Sequence, residues 1–174
     1  MKSIVIYNSK TGFTKRYAEW ICEAASCECV KFKKAGKTSL MDYDAIVFGG
    51  WFMAGKITGL DWFKKKMPAL AAANKKLLVY AVGATPPQSP DISAAMRKNF
   101  SDDEWSKVKS FYCPGGLNYD KMNFMSKLVM KMLSKALSSK KDATEAEKEQ
   151  AKMILSSYDL SDKKYIEPLL AELK

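Results

Sequence analysis

The sequence predicts an α/β fold in three layers, in which a doubly wound sheet of five parallel strands lies between two layers of helices. Apolar runs of strand length alternate five times with helical patterns over residues 1–116, and such alternation is typical of parallel α/β sheets. Clusters of glycine, serine, threonine and proline follow several of these runs, as expected for loops at strand ends. Beyond residue 116 the pattern becomes methionine-rich and helical, which predicts an extra amphipathic helix after the fifth strand.

The first three strands are predicted from residues 2–50. Residues 2–7 form a short β-branched run, which indicates a buried first strand. Helical spacing predicts a helix over 14–25, and the alternating residues 27–32 predict a half-exposed second strand. Residues 44–50 form the clearest buried strand, which ends in two glycines, and a helix over 60–73 is expected to follow it.

Two further strands complete the predicted sheet. Residues 75–83 form another buried apolar run, followed by a turn-rich loop and a helix over 92–100. Residues 107–116 give the fifth strand, which again ends at glycines. In open parallel sheets ligands bind beyond the carboxyl ends of the strands. Three loops are expected to meet at that edge: 8–14, 50–58 and 83–91.

The last third of the sequence predicts helices. Apolar residues share one helical face: Met122, Met125, Leu128, Val129, Met132, Leu133, Ala136 and Leu137. Lysines at every fourth position flank this face: Lys127, Lys131 and Lys135. An acidic stretch then opens another helix, with Asp142 as its expected N-cap and Glu145 three residues on. A final helix is predicted over 164–173.

The composition indicates one domain over 1–174, with an extra helical segment at about 117–157. The chain has 174 residues, of which 47% are hydrophobic, and this is enough for a core. No apolar stretch approaches the ~20 residues that cross a bilayer, and the start does not resemble a secretory signal, so a cytoplasmic protein is expected. Cys27 and Cys29 are expected on opposite faces of a strand, so no metal site is predicted.

Charge restricts the chemistry and the partners. The chain contains no histidine, which excludes mechanisms that need an imidazole base or ligand. Lysine and arginine number 29 against 19 acidic residues, a net charge of +10. This surplus indicates either a solvated lysine-rich surface or an anionic partner, such as an acidic protein, an acidic substrate or a membrane surface. No nucleic-acid-binding motif is present, so nucleic acid is not an expected partner.

The loop between the first strand and the first helix has the chemistry of a phosphate site. Ser9, Thr11 and Thr14 offer hydroxyl groups, and Gly12 lets the backbone come close to a ligand. Free N–H groups and the dipole at a helix start attract a phosphate. The loop matches neither glycine-rich nucleotide pattern, which favours a phosphate monoester. The alternative is a plain βα turn with Thr14 as its N-cap.

Two segments resemble known families. "SKTGFT" (9–14) resembles the flavodoxin phosphate loop, T/S-x-T-G-x-T, and the five-strand alternation has the flavodoxin arrangement. "GGLNYDKMNFMSKLVMKML" (115–133) resembles the menaquinone-dependent protoporphyrinogen dehydrogenases, which are flavodoxin-fold proteins with an extra helix after the fifth strand. Together the two resemblances cover most of the chain.

The resemblance implies a flavodoxin-like fold with FMN as cofactor and no catalytic side chain, because the flavin carries the chemistry. Trp51 is the candidate for stacking on the flavin ring, and a rim tryptophan packed on the next helix is the alternative. The implied phosphate-binding residues are Ser9, Lys10, Thr11, Gly12, Phe13 and Thr14. The implied ring-binding residues are Gly50, Trp51, Phe52, Met53, Ala54, Gly55, Gly83, Ala84, Thr85 and Pro86.

Three functions stay open from the sequence. The first is an electron carrier that passes electrons to a partner reductase and docks on an acidic face of that partner. The second is a flavin-dependent protoporphyrinogen dehydrogenase of heme biosynthesis with a quinone acceptor, and the third is a flavin-free binding module. The covering loops, poor in basic residues, favour the carrier, whereas the extra helix favours the dehydrogenase. Helix 118–137 is also expected to contact the inner membrane face peripherally.

Overall fold

The computed structural model describes residues 1–140 and 142–174 and confirms the three-layer α/β/α fold. The strands are β1 (Ser3–Tyr7), β2 (Glu28–Lys31), β3 (Ala45–Met53), β4 (Lys56–Ile57), β5 (Lys76–Gly83), β6 (Val108–Pro114), β7 (Gly116–Leu117) and β8 (Tyr158–Asp159). The α-helices are α1 (Phe13–Ala25), α2 (Leu60–Lys64), α3 (Met67–Ala72), α4 (Asp91–Arg97), α5 (Asp102–Lys107), α6 (Phe124–Ser138), α7 (Glu145–Met153) and α8 (Glu167–Glu172). Short 3₁₀ segments lie at Phe32–Lys37, Leu40–Asp42, Tyr119–Lys121 and Lys163–Ile166.

The central sheet has the order β2-β1-β3-β5-β6, and these five strands are parallel. Because β1 lies inside the sheet between β2 and β3, the strand order reverses beside it. That reversal is the topological switch point, at which open α/β sheets bind ligands. The loop after β1 therefore lies where the fold favours a ligand.

Apolar side chains fill both faces of the sheet, as expected for parallel strands covered by helices on each side. On one face the core joins the strands to α1 and α8, through residues such as Tyr17, Ile21 and Leu169. On the other face it joins them to α2, α3 and α4, through residues such as Phe63 and Leu70. Successive β1 residues alternate between the two cores, which explains why the strand reads as a continuous apolar run.

The third strand is longer than predicted. It continues through Gly49 and Gly50 to Met53, so the expectation that it ends at the two glycines is wrong. The turn comes at Ala54 and Gly55, whose φ angles are 48° and 77°. Two positive φ values suit a two-residue hairpin of type I′, and this turn reverses the chain into β4, antiparallel to β3.

Gly49 is required by close packing rather than by a turn. It pairs directly with Tyr80 of β5, and a Cβ atom at Gly49 would lie 2.0 Å from Cζ of the Tyr80 ring. A Cβ atom at Gly50 would lie 2.7 Å from the Ile57 side chain and from the Thr58 carbonyl oxygen. These glycines let a tyrosine ring and the returning hairpin lie against the strand.

Several helix boundaries also differ from the predictions. The helix expected over 60–73 is divided into α2 and α3, with Pro68 in the first turn of α3, where its missing N–H is tolerated. Helix α5 was not predicted, although its capping box, in which Ser101 and Glu104 bond to each other's backbone, is visible in the sequence. The final helix begins as a 3₁₀ segment and continues as α8.

The extra helical segment leaves and rejoins the domain through a two-stranded ribbon of β7 and β8. Between them, α6 and α7 pack on each other as a helical hairpin. The expected N-cap at Asp142 is wrong, because Thr144 caps α7 and Glu147 completes the capping box. In the described ranges no helix is long and apolar enough to cross a membrane.

Replacing Gly49 by alanine is expected to lower the free energy of unfolding by about 1–3 kcal/mol, the usual effect of overpacking a core. Gly36→Ala is the matched control, because a Cβ atom at Gly36 meets nothing within 4 Å. Urea unfolding of both variants would measure the difference. Equal stability of the two would contradict the close approach of β3 and β5.

Candidate functional site

The loop between β1 and α1 presents unpaired donors at a helix start. Gly12 has φ of 103° and precedes the first turn of α1, and its carbonyl accepts the first helical bond, from the N–H of Arg16, at 2.9 Å. The N–H groups of Phe13, Thr14 and Lys15 have no acceptor among the described residues, as expected for a first helical turn. A phosphate fits this arrangement of donors and dipole.

Two side chains shape the loop itself. The Ser9 hydroxyl accepts a hydrogen bond from the Gly12 N–H at 3.3 Å, which closes a tight turn. The Lys10 side chain is exposed and forms no ion pair among the described residues. Ser9 therefore holds the shape of the loop, and Lys10 is available to neutralise a bound anion.

The expectation that Thr14 is the N-cap of the helix, which belonged to the alternative of a plain βα turn, is wrong. The helix begins at Phe13 behind Gly12, and Thr14 lies inside its first turn. The Thr14 residue is only 2% exposed, yet its hydroxyl makes no hydrogen bond within the described residues while its oxygen remains accessible to solvent. A ligand oxygen at the helix start could accept this bond.

Tyr80 of β5 fixes the first turn of α1 from the side of the sheet. Its hydroxyl donates to the Thr14 carbonyl oxygen at 2.9 Å. The ring is completely buried, and burial raises the pKa of Tyr80 well above its usual value, so the hydroxyl stays protonated as a donor. Tyr17 in the next turn donates to the Pro114 carbonyl at the end of β6. Two buried phenols therefore connect α1 to the carboxyl edge of the sheet.

The loop after β1 and the hairpin β3–β4 are joined by hydrogen bonds. The Asn8 N–H donates to the Gly49 carbonyl at 2.8 Å, and its side-chain amide donates to the Thr58 carbonyl at 3.4 Å. The Thr58 hydroxyl accepts from the Trp51 N–H at 3.2 Å and donates to the Trp51 carbonyl at 3.1 Å. The sequence did not single out Thr58, because its role depends on a hairpin that was not predicted.

Asn99 holds the tip of the same hairpin from α4's C-terminal side. Its side-chain oxygen accepts from the Ile57 N–H at 2.9 Å. Its side-chain amide donates to the carbonyls of Gly55, at 3.0 Å, and Ala95, at 2.8 Å. This asparagine satisfies hairpin groups 42 and 44 residues away, so no local signal in the sequence could reveal its role.

The ring-binding residues predicted after β3 are divided between the two faces of the sheet. Trp51 is half-buried and packs on the side of α1 and α8, whereas Phe52 packs on the side of α2 to α5. Met53 is 61% exposed. This division follows from the continuation of β3, since successive strand residues point to opposite faces.

A cavity of about 370 Å³ lies at the carboxyl ends of β3 and β5, a volume within the usual range of ligand pockets. Of the predicted ring-binding residues, it brings together Phe52, Ala54, Gly55, Gly83, Ala84 and Thr85. Met130 and Leu133 of α6 and Ile154 beyond α7 form part of its wall. Gly50, Trp51 and Met53 do not line it, and Pro86 lines a neighbouring cavity. The lining is mainly apolar, which fits a flat aromatic ring.

Two tyrosines that the sequence did not indicate hold the loop after β5. The Tyr112 hydroxyl donates to the Thr85 carbonyl at 2.6 Å, and the Tyr158 hydroxyl donates to the Ala84 carbonyl at 2.9 Å. Burial raises the pKa of both phenols, so both remain neutral donors. The Tyr112 ring also lies 6.2 Å from the Phe52 ring, so the two aromatics form one wall of the cavity.

The expectation that Cys27 and Cys29 point to opposite faces is wrong. Residues two apart in extended backbone point to the same face. Cys29 pairs with Val5, which belongs to the core against which Cys22 and Cys27 pack. Within the described residues, no group of three or more cysteine or acidic side chains has the arrangement of a metal site.

The chain belongs to the flavodoxin-domain family, whose family model matches residues 4–144. The arrangement of strands and the position of the first loop agree with that assignment. A comparison with curated proteins gives no significant match.

Several solved structures are similar to this chain at low sequence identity. A flavodoxin from the domain Archaea is 22% identical over 69% of this chain and 88% of its own, with a TM-score of 0.42. The Trp repressor binding protein of Bacillus subtilis is 16% identical over 66% and 83%, with a TM-score of 0.49. A flavoprotein of Lactobacillus acidophilus in complex with FMN is 13% identical over 65% and 91%, with a TM-score of 0.43.

Asn99→Ala is expected to loosen the hairpin β3–β4 and to lower the free energy of unfolding by about 1–3 kcal/mol, because the buried Ile57 N–H loses its acceptor. Hydrogen exchange of the Ile57 amide should become faster. Asn118→Ala is the control, since the Asn118 side chain makes no hydrogen bond among the described residues. Unchanged exchange at Ile57 would contradict the role of Asn99.

Proposed function

We propose that this protein binds FMN at the carboxyl edge of its sheet and carries electrons to a partner reductase. The observation that supports this most is the loop at 9–14, where an uncapped helix start meets accessible hydroxyl groups beside the topological switch point. Membership of the flavodoxin-domain family and the apolar cavity at the carboxyl ends of β3 and β5 give further support.

The phosphate of FMN would lie at the start of α1. The N–H groups of Phe13, Thr14 and Lys15 would donate to its oxygens, and the helix dipole would favour its charge. The hydroxyl groups of Thr11 and Thr14 would add two donors without further charge. Lys10 would supply one positive charge, which would partly offset the two negative charges of the phosphate.

The flavin ring would extend from this loop towards the hairpin β3–β4 and the loop after β5. Phe52 and Tyr112 would form an apolar wall for it, and the N–H groups of Ala84 and Thr85, which make no hydrogen bond among the described residues, would be available to its polar edge. Trp51, on the side of the phosphate loop, stays the proposed stacking residue. When bound, FMN supplies the electron transfer, and the protein binds, orients and shields it.

The charges next to the cavity favour a carrier over a porphyrinogen dehydrogenase. A larger cleft of about 730 Å³ adjoins the cavity and is lined by Asp91, Glu147 and Glu149. Its lysine, Lys140, already pairs with Glu147 at 2.7 Å. A porphyrinogen carries carboxylates, which these acidic side chains would repel. The dehydrogenase with a quinone acceptor remains the second candidate, supported by the resemblance of 115–133 and by the extra helix α6, to which this segment contributes.

We further propose that the partner docks on α6. The outer side of this helix exposes large apolar side chains, with Phe124 at 79% and Met132 at 66% exposure. Lys131 and Lys135 flank this side and form no ion pairs among the described residues. Because α6 also lines the flavin cavity, an acidic partner bound here would lie close to the cofactor.

The phosphate loop is tested by Thr14→Val, which removes the accessible hydroxyl with little change of volume. Each lost hydrogen bond to a charged group costs about 1.5–3 kcal/mol, so the affinity for FMN should fall by about 10- to 150-fold. Thr38→Val is the matched control, because the Thr38 hydroxyl makes no hydrogen bond among the described residues and lies outside the loop. Fluorescence titration of the apoprotein with FMN measures both. An affinity of Thr14→Val equal to that of the control would mean that the phosphate binds elsewhere.

The docking surface is tested by reversing the charge of Lys131 and Lys135 to glutamate. Reduction of the FMN-loaded protein by a flavodoxin-type NADPH reductase should slow several-fold at low ionic strength, since rim charges act mainly on association. Reversal of Lys33 and Lys34, which changes the net charge equally at another surface, should leave the rate unchanged.

Two results would overturn the proposal of an electron carrier that docks its partner on α6. Equal rates for the two double variants, together with lysine-dependent binding to phosphatidylglycerol vesicles, would assign α6 to a membrane surface. Anaerobic oxidation of protoporphyrinogen with a menaquinone analogue, at rates above those of free FMN, would assign the protein to the dehydrogenases.

A further inference from the structure

Three of the four cysteines lie together where α1 ends and β2 begins. Cys22 is in the last turn of α1, Cys27 directly precedes β2, and Cys29 is the second residue of β2. Cys22 and Cys27 are half-buried and Cys29 is exposed. The fourth, Cys113, is completely buried in β6, where its sulfur lies 3.9 Å from the Tyr165 carbonyl oxygen.

The end of α1 brings the first two thiols together. Ser26 has a positive φ of 49°, and the Cys27 N–H donates to the Cys22 carbonyl at 3.1 Å. This bond, from the second residue beyond the helix to the fourth residue from its end, is the long-range bond of a Schellman motif. The side chains at those two positions characteristically contact each other, and here they are Cys27 and Cys22.

The third thiol joins the cluster because strand residues two apart share a face. The Cys22 sulfur lies 3.6 Å from the carbonyl oxygen of Glu28, the residue between the other two cysteines. Cys29 pairs with Val5 of β1, and Val5 belongs to the core against which Cys22 and Cys27 pack. Cys22 is therefore the common neighbour of Cys27 and Cys29.

The cluster gives its exposed member the character of a nucleophile. The neighbouring Cys22 thiol lowers the pKa of both Cys29 and Cys27, and the pKa of Cys22 itself is raised in return. Thiolate character and exposure, the two requirements for reaction with a disulfide, coincide at Cys29. Burial raises the pKa of Cys113, which lacks both properties.

We propose that Cys29 and Cys22 form a reversible disulfide bond when the protein meets a low-molecular-weight disulfide. The Cys29 thiolate attacks one sulfur of that oxidant, whose S–S bond breaks and releases one thiolate. The Cys22 thiol then loses its proton and attacks the Cys29 sulfur, and the second thiolate leaves. Two electrons pass from the two cysteines to the oxidant, which becomes two thiols.

The bond would connect the edge strand to the helix that starts at the phosphate loop. Strand β2 is at the end of the sheet order and pairs with β1 alone among the strands of the described residues. A covalent link between β2 and α1 would restrict separation of that edge and so stabilise the oxidised form. The site is independent of FMN, and it can be tested whether or not flavin binds.

The test treats the purified chain with oxidised glutathione. Titration with a thiol reagent in denaturant should fall from four thiols to two per chain, and dithiothreitol should restore four. Peptide mass mapping without reduction should show a Cys22–Cys29 link with Cys113 free. Four remaining thiols, or glutathione adducts without an internal link, would overturn the proposal.

Variants of single cysteines test the order of the steps. Cys22→Ser should accumulate a glutathione adduct on Cys29, because the second attack is missing. Cys27→Ser should still form the bond, and Cys113→Ser, outside the cluster, is the matched control. If the bond is lost in Cys27→Ser and kept in Cys29→Ser, the disulfide joins Cys22 to Cys27. That result would overturn the proposed Cys22–Cys29 bond.

Discussion

The candidate site depends on one buried hydrogen bond, from the Tyr80 hydroxyl in β5 to the Thr14 carbonyl in the first turn of α1. The absence of a side chain at Gly49 in β3 makes room for the Tyr80 ring. Three elements distant in sequence thus determine where α1 begins. Because the N–H donors of a helix start are fixed by its first turn, the packing of the sheet sets the geometry of the proposed phosphate loop.

Helix α6 of the extra segment has two apolar sides, one towards the cavity and one towards solvent. Met130 and Leu133 of α6 line the cavity at the strand ends, while Phe124 and Met132 face outward with most of their surface exposed. Large apolar side chains exposed on the outer side of a helix usually mark a surface that a second molecule covers. The β7–β8 ribbon joins the two ends of the extra segment where it leaves and re-enters the domain. Helices α6 and α7 therefore extend from the domain without interrupting the central sheet.

The sequence predicts the features that arise from local patterns. The buried runs of β1 and β5 and the hydroxyl-rich loop at 9–14 were predicted because each signal lies within a few residues. The hairpin β3–β4 was missed, because Gly49 and Gly50 resemble a strand end and Ala54 adopts a positive φ that alanine rarely adopts. The roles of Asn99 and Tyr112 arise from contacts across the fold, which no local pattern encodes.

The visible absorption spectrum of the purified protein tests the central claim most directly. The proposed phosphate loop at the uncapped start of α1, together with the apolar cavity at the ends of β3 and β5, predicts a yellow protein that releases one FMN per chain on denaturation. The apoprotein should then bind added FMN again. A colourless protein that binds no added FMN would contradict the account, because the loop and the cavity would then serve a different ligand.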